Sequence, residues 1–525
     1  MKRVKALDCT LRDGGYCNEW RFGFSNISKI VNGLAEANVE IIECGFITSK
    51  IQYDINATRF TSVYQVSNAF PKHSDQLIRV CMINYGEYSA DELPEYSYGL
   101  IEGIRVAFHK RDLIPAIRLC QDIQKKGYKV FVQPMVSLNY SDEEFLALIN
   151  KINSFKPYAF YIVDSFGSMK RHDLMRLYSL VEHNLHDSVL IGFHSHNNMQ
   201  LSYSNAQALI EHQSKRKLII DSSIFGMGRG AGNLNTELLL GYLNEHTDSS
   251  YNLRPLFSLI DDTIIGFYQK KYWGYSLPNY LSAKHNLHPN YADYLDSRQT
   301  MTVENMDELF SVIDEDKKVS FDREYIERLY EKYMETGKSQ YEHLEELKCA
   351  LCDKDVLIIA PGRSIVEEKE KIIEFASLDT TIVISINRES SFIKEDYLFM
   401  SNLRRYRESD KSVKSKSIVT SNIPSVDAYL KVSYKSLLND NEPVKDNAGM
   451  MLIKLLIDLG VKNVYLAGMD GYSADSIKNY ANPEMTYYMQ RSVAESINHG
   501  MNEVLKEYRK KIRIKFLTTP KYITI

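Results

Sequence analysis

Two histidines separated by a single residue, His194 and His196, are the side chains of this sequence best suited to bind a metal ion. They end an apolar run typical of a β-strand, and on a strand residues i and i+2 point to the same side. Two neighbouring imidazoles can bind one divalent cation, and a carboxylate such as Asp13 would complete a set of two nitrogens and one oxygen. Such a set leaves positions open for substrate oxygens, as a catalytic metal requires. Taken alone, the H-x-H pair is also compatible with a surface loop that binds nothing.

Polar residues follow other strand-like runs as well. The first run ends in the segment 8–15 (DCTLRDGG), the second carries Glu43, the sixth ends at Asp164, and the eighth leads into the glycine-rich segment 226–233 (GMGRGAGN). In a barrel of parallel strands the carboxyl ends meet at one mouth, where active sites lie. We therefore expect these segments to meet there. The glycine-rich segment is either a tight turn that closes the barrel or a loop whose N–H groups face a phosphate.

The elements that must position these residues form a repeating pattern in residues 1–240. Eight short apolar runs alternate with amphipathic segments of helical length. The runs cover residues 4–8, 39–46, 77–84, 101–108, 128–135, 159–166, 188–196 and 217–226. Eight strands separated by helices predict a (β/α)8 TIM barrel of the α/β class. An open doubly wound sheet is the alternative, and the number of strands alone does not exclude it.

Three motifs occur in the order in which they occur in one known superfamily. They are T-L-R-D-G after the first strand, H-x-H-x-N after the seventh, and G-x-G-x-G-x-G-N after the eighth. With them, residues 1–300 resemble the metal-dependent aldolase, lyase and synthase barrels, which include hydroxymethylglutaryl-CoA lyase and isopropylmalate synthase. The resemblance is closest to the 4-hydroxy-2-oxovalerate aldolase type, which shares the pattern D-x-S-x-x-G-M-G-x-G-A-G-N of residues 221–233.

The resemblance implies a role for individual residues. Asp13, His194 and His196 would bind the metal, Mn²⁺ or Mg²⁺, and Asn233 would add a further contact to it. Arg12 would lie against the enolate that develops in a 2-oxo acid, although a structural salt bridge is the alternative for this side chain. The implied activity is that of a metal-dependent, class II type aldolase, a carbon–carbon lyase that acts on a pyruvate-type enolate and an aldehyde or sugar.

One position departs from the resemblance and leaves the proton donor and acceptor open. The oxovalerate aldolases carry a histidine three residues after the metal-binding aspartate, where this chain has Tyr16. A phenol is a weak base near pH 7, so we expect proton transfer to differ while keeping Tyr16 as the catalytic candidate. A metal-bound hydroxide, His285 or His288 are the alternatives. The synthases carry an acidic residue where this chain has Gly15, which counts against an acyl-CoA-dependent condensing synthase.

The remainder of the chain reads as two further regions. We expect the barrel domain over residues 1–250, a helical extension and linker over 251–345, and a Rossmann-like α/β domain over 351–525. The last of these resembles the nucleotide-binding domains of bacterial sialyltransferase-like and pterin-pyrophosphokinase-like proteins.

In that last region a strand-like run leads through Gly362 and Ser364 into a helix, which is a natural anion site. By the resemblance, Gly362, Ser364 and Asn387 would contact the phosphate or ribose of a nucleotide or nucleotide sugar, and Asp470 would line the pocket. Plain connections between strands and helices are the alternative.

Composition and charge limit which partners and which cellular compartment we expect for this chain. The chain has 525 residues, a formal net charge of −4 and seven cysteines. The near-neutral charge argues against nucleic acid as a partner, and no apolar run of about 18 residues predicts a membrane span. An odd number of cysteines and a polar start without an apolar signal region favour the cytoplasm.

We expect a bifunctional enzyme, at least dimeric as such barrels commonly are. Fusion to a transferase-like domain suggests surface polysaccharide biosynthesis, by analogy only. Two alternatives stay open: the condensing synthase, and a glycosyltransferase whose barrel is not catalytic.

Overall fold

The computed structural model describes residues 4–70, 77–298, 300–334, 342–409, 416–423, 428–486 and 489–523. Two compact units divide the chain. The first comprises Met1–Asp293 and Asp314–Phe321, and the second Tyr294–Ile313 and Asp322–Ile525. Part of the predicted linker, 335–341, lies outside the described residues, and the domain boundaries drawn from the sequence stay predictions.

The first unit contains a closed barrel of eight parallel strands, which confirms the TIM barrel. Its strands are β1 (Val4–Asp8), β2 (Ile41–Ile47), β4 (Ile78–Asn84), β5 (Gly103–Phe108), β6 (Lys129–Pro134), β7 (Ala159–Asp164), β8 (Leu190–Ser195) and β9 (Leu218–Ser222), with a two-residue strand β3 (Arg59–Phe60) on the outer side of β2. Pairing of β1 with both β9 and β2 closes the ring. All eight apolar runs of the sequence became barrel strands, and the open sheet is excluded.

Amphipathic helices surround the strands. They are α1 (Phe24–Glu36), α2 (Val63–Ala69), α3 (Leu113–Lys125), α4 (Asp142–Phe155), α5 (Arg171–Asn184), α6 (Ser202–Glu211) and α7 (Thr236–His246). In α1 the buried residues Ile27, Ile30, Val31 and Leu34 recur at helical spacing and pack on the barrel. Helix α4 starts at a capping box in which Ser141 and Glu144 satisfy each other's backbone N–H groups.

Helices follow the barrel and no strand occurs among the described residues of 251–345. They are α8 (Arg254–Leu259), α9 (Ile265–Tyr268), α10 (Leu277–Lys284), α11 (Asn290–Arg298), α12 (Val303–Ser311) and α13 (Arg323–Met334), with α14 (Glu342–Leu351) beginning in the same region. A short π-helical turn, Ile260–Ile264, joins α8 to α9. None of the described helices has the length and apolar character needed to cross a bilayer.

The second unit is built on another parallel sheet of seven strands. They are β10 (Asp355–Ile359), β11 (Thr381–Ile386), β12 (Tyr397–Met400), β13 (Ser417–Thr420), β14 (Leu430–Val432), β15 (Asn463–Ala467) and β16 (Arg513–Phe516), in the order β14-β13-β12-β11-β10-β15-β16. Besides α12, α13 and α14, the described helices of this unit are α15 (Ser364–Glu367), α16 (Lys369–Ala376), α17 (Leu403–Glu408), α18 (Tyr434–Leu437), α19 (Ala448–Asp458) and α20 (Arg491–Tyr508). The α/β character is confirmed, while the finer description as Rossmann-like stays a prediction.

Inside the barrel, one tyrosine occupies space that a neighbouring glycine leaves free. Tyr161 on β7 pairs in register with Gly192 on β8, and a Cβ at Gly192 would lie 2.3 Å from the Tyr161 ring. The hydroxyl of Tyr161 donates to Asp221 at 3.0 Å. Because Gly192 has no side chain, the ring of Tyr161 can fill this part of the barrel interior and its hydroxyl can reach Asp221.

We expect Gly192→Ala to destabilise the first unit by about 1–3 kcal/mol, because the added methyl group overpacks the barrel interior. Both tryptophans, Trp20 and Trp273, belong to this unit, so urea unfolding followed by tryptophan fluorescence measures it. The matched control is Gly266→Ala in α9, where a Cβ meets nothing within 4 Å and the free energy of unfolding should stay unchanged or rise slightly. Equal effects of the two substitutions would contradict this packing.

Candidate metal centre

Three buried side chains converge at the carboxyl end of the barrel. Asp13 lies in the loop after β1, His194 is near the end of β8, and His196 follows that strand. One ligand atom from each can be chosen so that all three atoms lie within 4.8 Å of one another. The Nε2 of His196 is 3.8 Å from the Oδ2 of Asp13, too long for a hydrogen bond between them. The two imidazole rings stand at 88° with centroids 5.3 Å apart.

The donor set fits a divalent cation. Two imidazole nitrogens and one carboxylate oxygen match catalytic sites that keep coordination positions open. Asn233 lies beside them and donates from Nδ2 to the Oδ2 of Asp13 at 2.6 Å. Its Oδ1 is buried and accepts no hydrogen bond from the described residues, so a fourth donor atom is available where the sequence predicted a further contact to the metal.

A row of side chains with alternating charges connects two of the candidate ligands, Asp13 and His194. Asp13 accepts from the Nη1 of Arg12 at 2.5 Å, and the Nε of Arg12 donates to Glu43 at 2.8 Å. Glu43 also pairs with Arg105 at 2.8 Å, and Arg105 in turn contacts Asp221. We call these five residues, Asp13, Arg12, Glu43, Arg105 and Asp221, the charge relay layer.

The charge relay layer ends beside a candidate metal ligand. The Nδ1 of His194 lies 2.9 Å from the Oδ2 of Asp221, which leaves the Nε2 of His194 for the metal. A carboxylate behind a metal-binding histidine fixes the ring and its tautomer and raises its basicity. The layer holds three carboxylates and two guanidinium groups, so formally it carries one negative charge in excess, which a divalent cation would reverse.

The pKa shifts agree with a site prepared for a cation. Burial opposes ionisation of Asp13, yet the adjacent Arg12 guanidinium holds the pKa of Asp13 well below its usual range. Burial, opposed by Asp13 and reinforced by Arg229, lowers the pKa of His196 to about 3. Burial also disfavours the charged form of Asp221, but Arg105 lowers the pKa of Asp221. Asp13 and Asp221 are therefore ionised and His196 is neutral, which suits Asp13 and His196 as metal ligands.

A cavity of about 320 Å³ opens above these ligands and includes residues from outside the barrel. Arg229 lies in its wall, with its guanidinium 5.3 Å from the ring centroid of Tyr16 and its Nη1 3.4 Å from the Nε2 of His288. His288 belongs to the segment between α10 and α11, and burial lowers its pKa to about 2. Besides Arg12, Asp13, His194 and His196, the wall contains Asn84, Glu87, His109, Asp112 and Gln133.

Glu43 and Asp164, both expected at the barrel mouth, make different contacts. Glu43 contacts Arg12. Asp164 instead accepts the backbone N–H groups of Ser168 and Met169 in the loop after β7. Arg105 and Asp221 were not recognised as parts of the site. The available signal was a charged residue within an apolar strand run, which in a barrel points either to the interior or to an ion pair.

In the second unit the predicted nucleotide contacts are brought partly together. Gly362, Asn387 and Asp470 line a common cavity. Ser364 does not line it among the described residues, since its backbone N–H donates to the Oδ2 of Asp470 at 2.8 Å and its hydroxyl to the Oδ1 at 2.5 Å. The two donors expected to face a phosphate are therefore engaged with a carboxylate of the same chain.

Comparison with known proteins gives matches to the barrel part of the chain. Residues 112–261 match the HMGL-like family model. The chain is 29% identical over 270 residues to a 4-hydroxy-2-oxovalerate aldolase of Pseudoalteromonas translucida, covering 50% of this chain and 76% of that protein. It is 28% identical over 268 residues to the enzyme of the same name from Chloroflexus aurantiacus, covering 50% and 74%. These sequence similarities support the aldolase and lyase barrel superfamily for this part.

Among solved structures, the N-terminal domain of a proposed aldolase from Bacteroides vulgatus is 29% identical, with a TM-score of 0.49, and the match covers 56% of this chain and 96% of that one. The matches that we report concern the barrel. The resemblance of the C-terminal domain to sialyltransferase-like and pterin-pyrophosphokinase-like domains stays a prediction.

We expect Asp221→Asn to weaken Mn²⁺ binding by about 10–100-fold, because the residue behind His194 loses the charge that orients and polarises the imidazole. Titration followed by electron paramagnetic resonance of free Mn²⁺ measures the Kd. Asp187→Asn is the matched control, since that side chain is 99% exposed and its replacement should leave the Kd unchanged. An unaltered Kd in a folded Asp221→Asn protein would contradict the assigned orientation.

Proposed function

We propose that the chain is a divalent-metal-dependent aldolase that breaks or forms a carbon–carbon bond next to a 2-oxo acid. The observation that carries the proposal is the buried set of Asp13, His194 and His196 with the Arg12 guanidinium directly beside it. Cleavage of a 4-hydroxy-2-oxo acid between C3 and C4 would give the enolate of pyruvate and an aldehyde. The curated relatives are named for an aldolase reaction of this kind.

The residues around the ligands supply what such a reaction needs. A divalent ion held there would act as a Lewis acid on the carboxylate and keto oxygens of a 2-oxo acid. Arg12 is buried and fixed by Asp13 and Glu43, so its positive charge is already in place where negative charge develops. With a divalent ion the site would carry one formal positive charge, which matches the single carboxylate of a 2-oxo acid.

On the aldehyde side, Tyr16, Arg229 and His288 form the wall. We propose Tyr16 as the group that handles the proton of the cleaved alcohol, with the guanidinium of Arg229 over its ring. His288, with its low pKa, is a poor proton acceptor near neutral pH. Its role in the proposal is to hold Arg229 and close the cavity.

Further parts of the proposal rest on analogy: Mn²⁺ or Mg²⁺ as the metal, a homodimer or larger assembly, and a cytoplasmic role in surface-glycan synthesis. A nucleotide or nucleotide sugar as the ligand of a Rossmann-like second unit belongs with them. The support for a ligand there is that the strand order reverses between β10 and β15, where parallel sheets bind ligands at their carboxyl ends.

The direct test is incubation of the protein with Mn²⁺ or Mg²⁺, pyruvate and a panel of aldehydes. We expect 4-hydroxy-2-oxo acids to form without coenzyme A, formation to stop on chelation, and His196→Ala to reduce it to background because one of the three ligands is lost. Thiol release from acetyl-CoA would instead indicate the condensing synthase. An inert barrel with nucleotide-sugar turnover that survives His196→Ala would indicate the glycosyltransferase.

The assignment of Tyr16 predicts a separation of two activities. We expect Tyr16→Phe to lower kcat for carbon–carbon cleavage by about 10²-fold or more, the effect of losing a positioned acid or base. Exchange of the pyruvate methyl protons for deuterium, followed by NMR, should continue, because enolate formation depends on the metal ligands and Arg12. His288→Gln serves as the comparison, with a smaller loss of kcat. Full cleavage activity in Tyr16→Phe would remove this residue from the mechanism.

A further inference from the structure

A second and larger cavity, of about 950 Å³, lies wholly within the second unit. Its wall includes the loops that follow β10, β11, β12 and β15, with Gly362, Asn387, Asn402 and Asp470 among them. These loops lie on either side of the point where the strand order reverses. Ligands of parallel sheets bind at such a point, and the volume is within the range of small-molecule sites. The position therefore identifies a binding site, and the wall indicates its ligand.

Many backbone donors that could bind a phosphate here are already engaged. At three of the described helices that start at the wall, α15, α17 and α19, a side chain of the chain itself accepts N–H groups of the first turn, whereas no side chain of the described residues caps the start of α20. Asp470 accepts from Ser364 at the start of α15. Asn402 accepts from the first turn of α17 at 3.0 and 3.3 Å, and Asn447 does so at α19, also at 3.0 and 3.2 Å. A phosphate would have to displace these caps.

The positive side chains of the wall are engaged as well. Arg298 pairs with Asp446 at 3.0 Å and is flanked by aromatic rings. Arg323 pairs with Glu442 at 2.8 Å, and Arg405 with Glu408 at 3.0 Å. The described wall holds these three arginines against five carboxylates: Glu324, Glu327, Glu442, Asp446 and Asp470. An excess of negative charge disfavours a diphosphate, whose charge has the same sign.

The polar and aromatic side chains of the wall suit hydroxyl groups and flat or ring-shaped faces. Carboxylates accept hydrogen bonds from hydroxyl groups, and an acidic residue at the end of a strand binds ribose hydroxyls in dinucleotide-binding sheets. Tyr472 and Tyr480 lie with ring centroids 6.2 Å apart in the same wall, and tyrosine rings pack against apolar faces while their hydroxyls stay polar. Other hydroxyl-bearing wall residues are Tyr294, Ser297, Thr300, Ser401, Ser492 and Ser496.

We propose that this cavity binds an uncharged polyhydroxyl ligand, a sugar or a nucleoside, and offers no strong phosphate subsite at the described starts of α15, α17 and α19. The inference deepens the expectation of a nucleotide or nucleotide sugar, because it assigns the binding energy to the neutral part of such a molecule. It does not depend on the metal chemistry of the barrel, since none of the wall residues belongs to the first unit.

The test is ligand-observed NMR and calorimetry on the full chain without added metal. The probes are glucose, galactose, N-acetylglucosamine, uridine and cytidine, together with UDP, CDP and inorganic phosphate. We expect at least one neutral probe to bind with a Kd that stays constant between about 50 and about 500 mM NaCl, because no ion pair contributes. Binding of sugars but not nucleosides, or the reverse, identifies the source of the hydroxyl groups.

Variants locate the binding in the cavity. Ser496→Trp places a large ring in the wall from α20 and should weaken binding at least tenfold. His499→Trp, on the same helix but outside the described wall, is the matched control and should leave the Kd unchanged. If Ser496→Trp fails to fold, Asn387→Gly keeps the left-handed backbone of that residue (φ 58°) and removes its side chain.

Three results would overturn the proposal. The first is tighter, salt-dependent binding of UDP or CDP than of uridine or cytidine. The second is no binding of any neutral probe at about 10 mM, a concentration at which even weak small-molecule sites fill. The third is binding that survives both Ser496→Trp and Asn387→Gly.

Discussion

The buried guanidinium of Arg105 connects the interior of the barrel to the candidate metal centre. It lies between Glu43 and Asp221, and each of these carboxylates continues to one side of the metal site, through Arg12 to Asp13 and directly to His194. Burying charges costs free energy unless each has a partner. These contacts fix the positions of Asp13 and His194, and the layer retains one formal negative charge that suits a cation beside it.

This arrangement explains why loops that are far apart in sequence act as one site. Asp13 follows the first strand, while His194 and His196 lie at the end of β8, yet barrel closure brings β1 beside β9 and β9 beside β8. The glycine-rich loop after β9 adds Asn233, whose side-chain amide donates a hydrogen bond to Asp13. Arg229 in the same loop and His288 beyond the barrel complete the cavity, so the helical segment after the barrel contributes to the site.

Much of this could be predicted from the sequence, because the signals were local. Eight apolar runs separated by segments of helical length predicted the barrel. The H-x-H motif at a strand end predicted the candidate ligand pair. The partnership of Arg105 and Asp221 could not be predicted, since 116 residues separate them and each looks like an isolated charge in an apolar strand. In the second unit β12, β13, β14 and β16 were missed because strands of three or four residues show no periodicity.

The central claim is that one cation is held jointly by Asp13, His194 and His196. Crystals grown with Mn²⁺ and measured with anomalous diffraction at the manganese edge test it most directly. The account predicts a single strong peak within bonding distance of one Asp13 oxygen and one nitrogen from each imidazole, with the Asp221–His194 hydrogen bond intact. A peak elsewhere, or none at this place while the three side chains keep their positions, would contradict it.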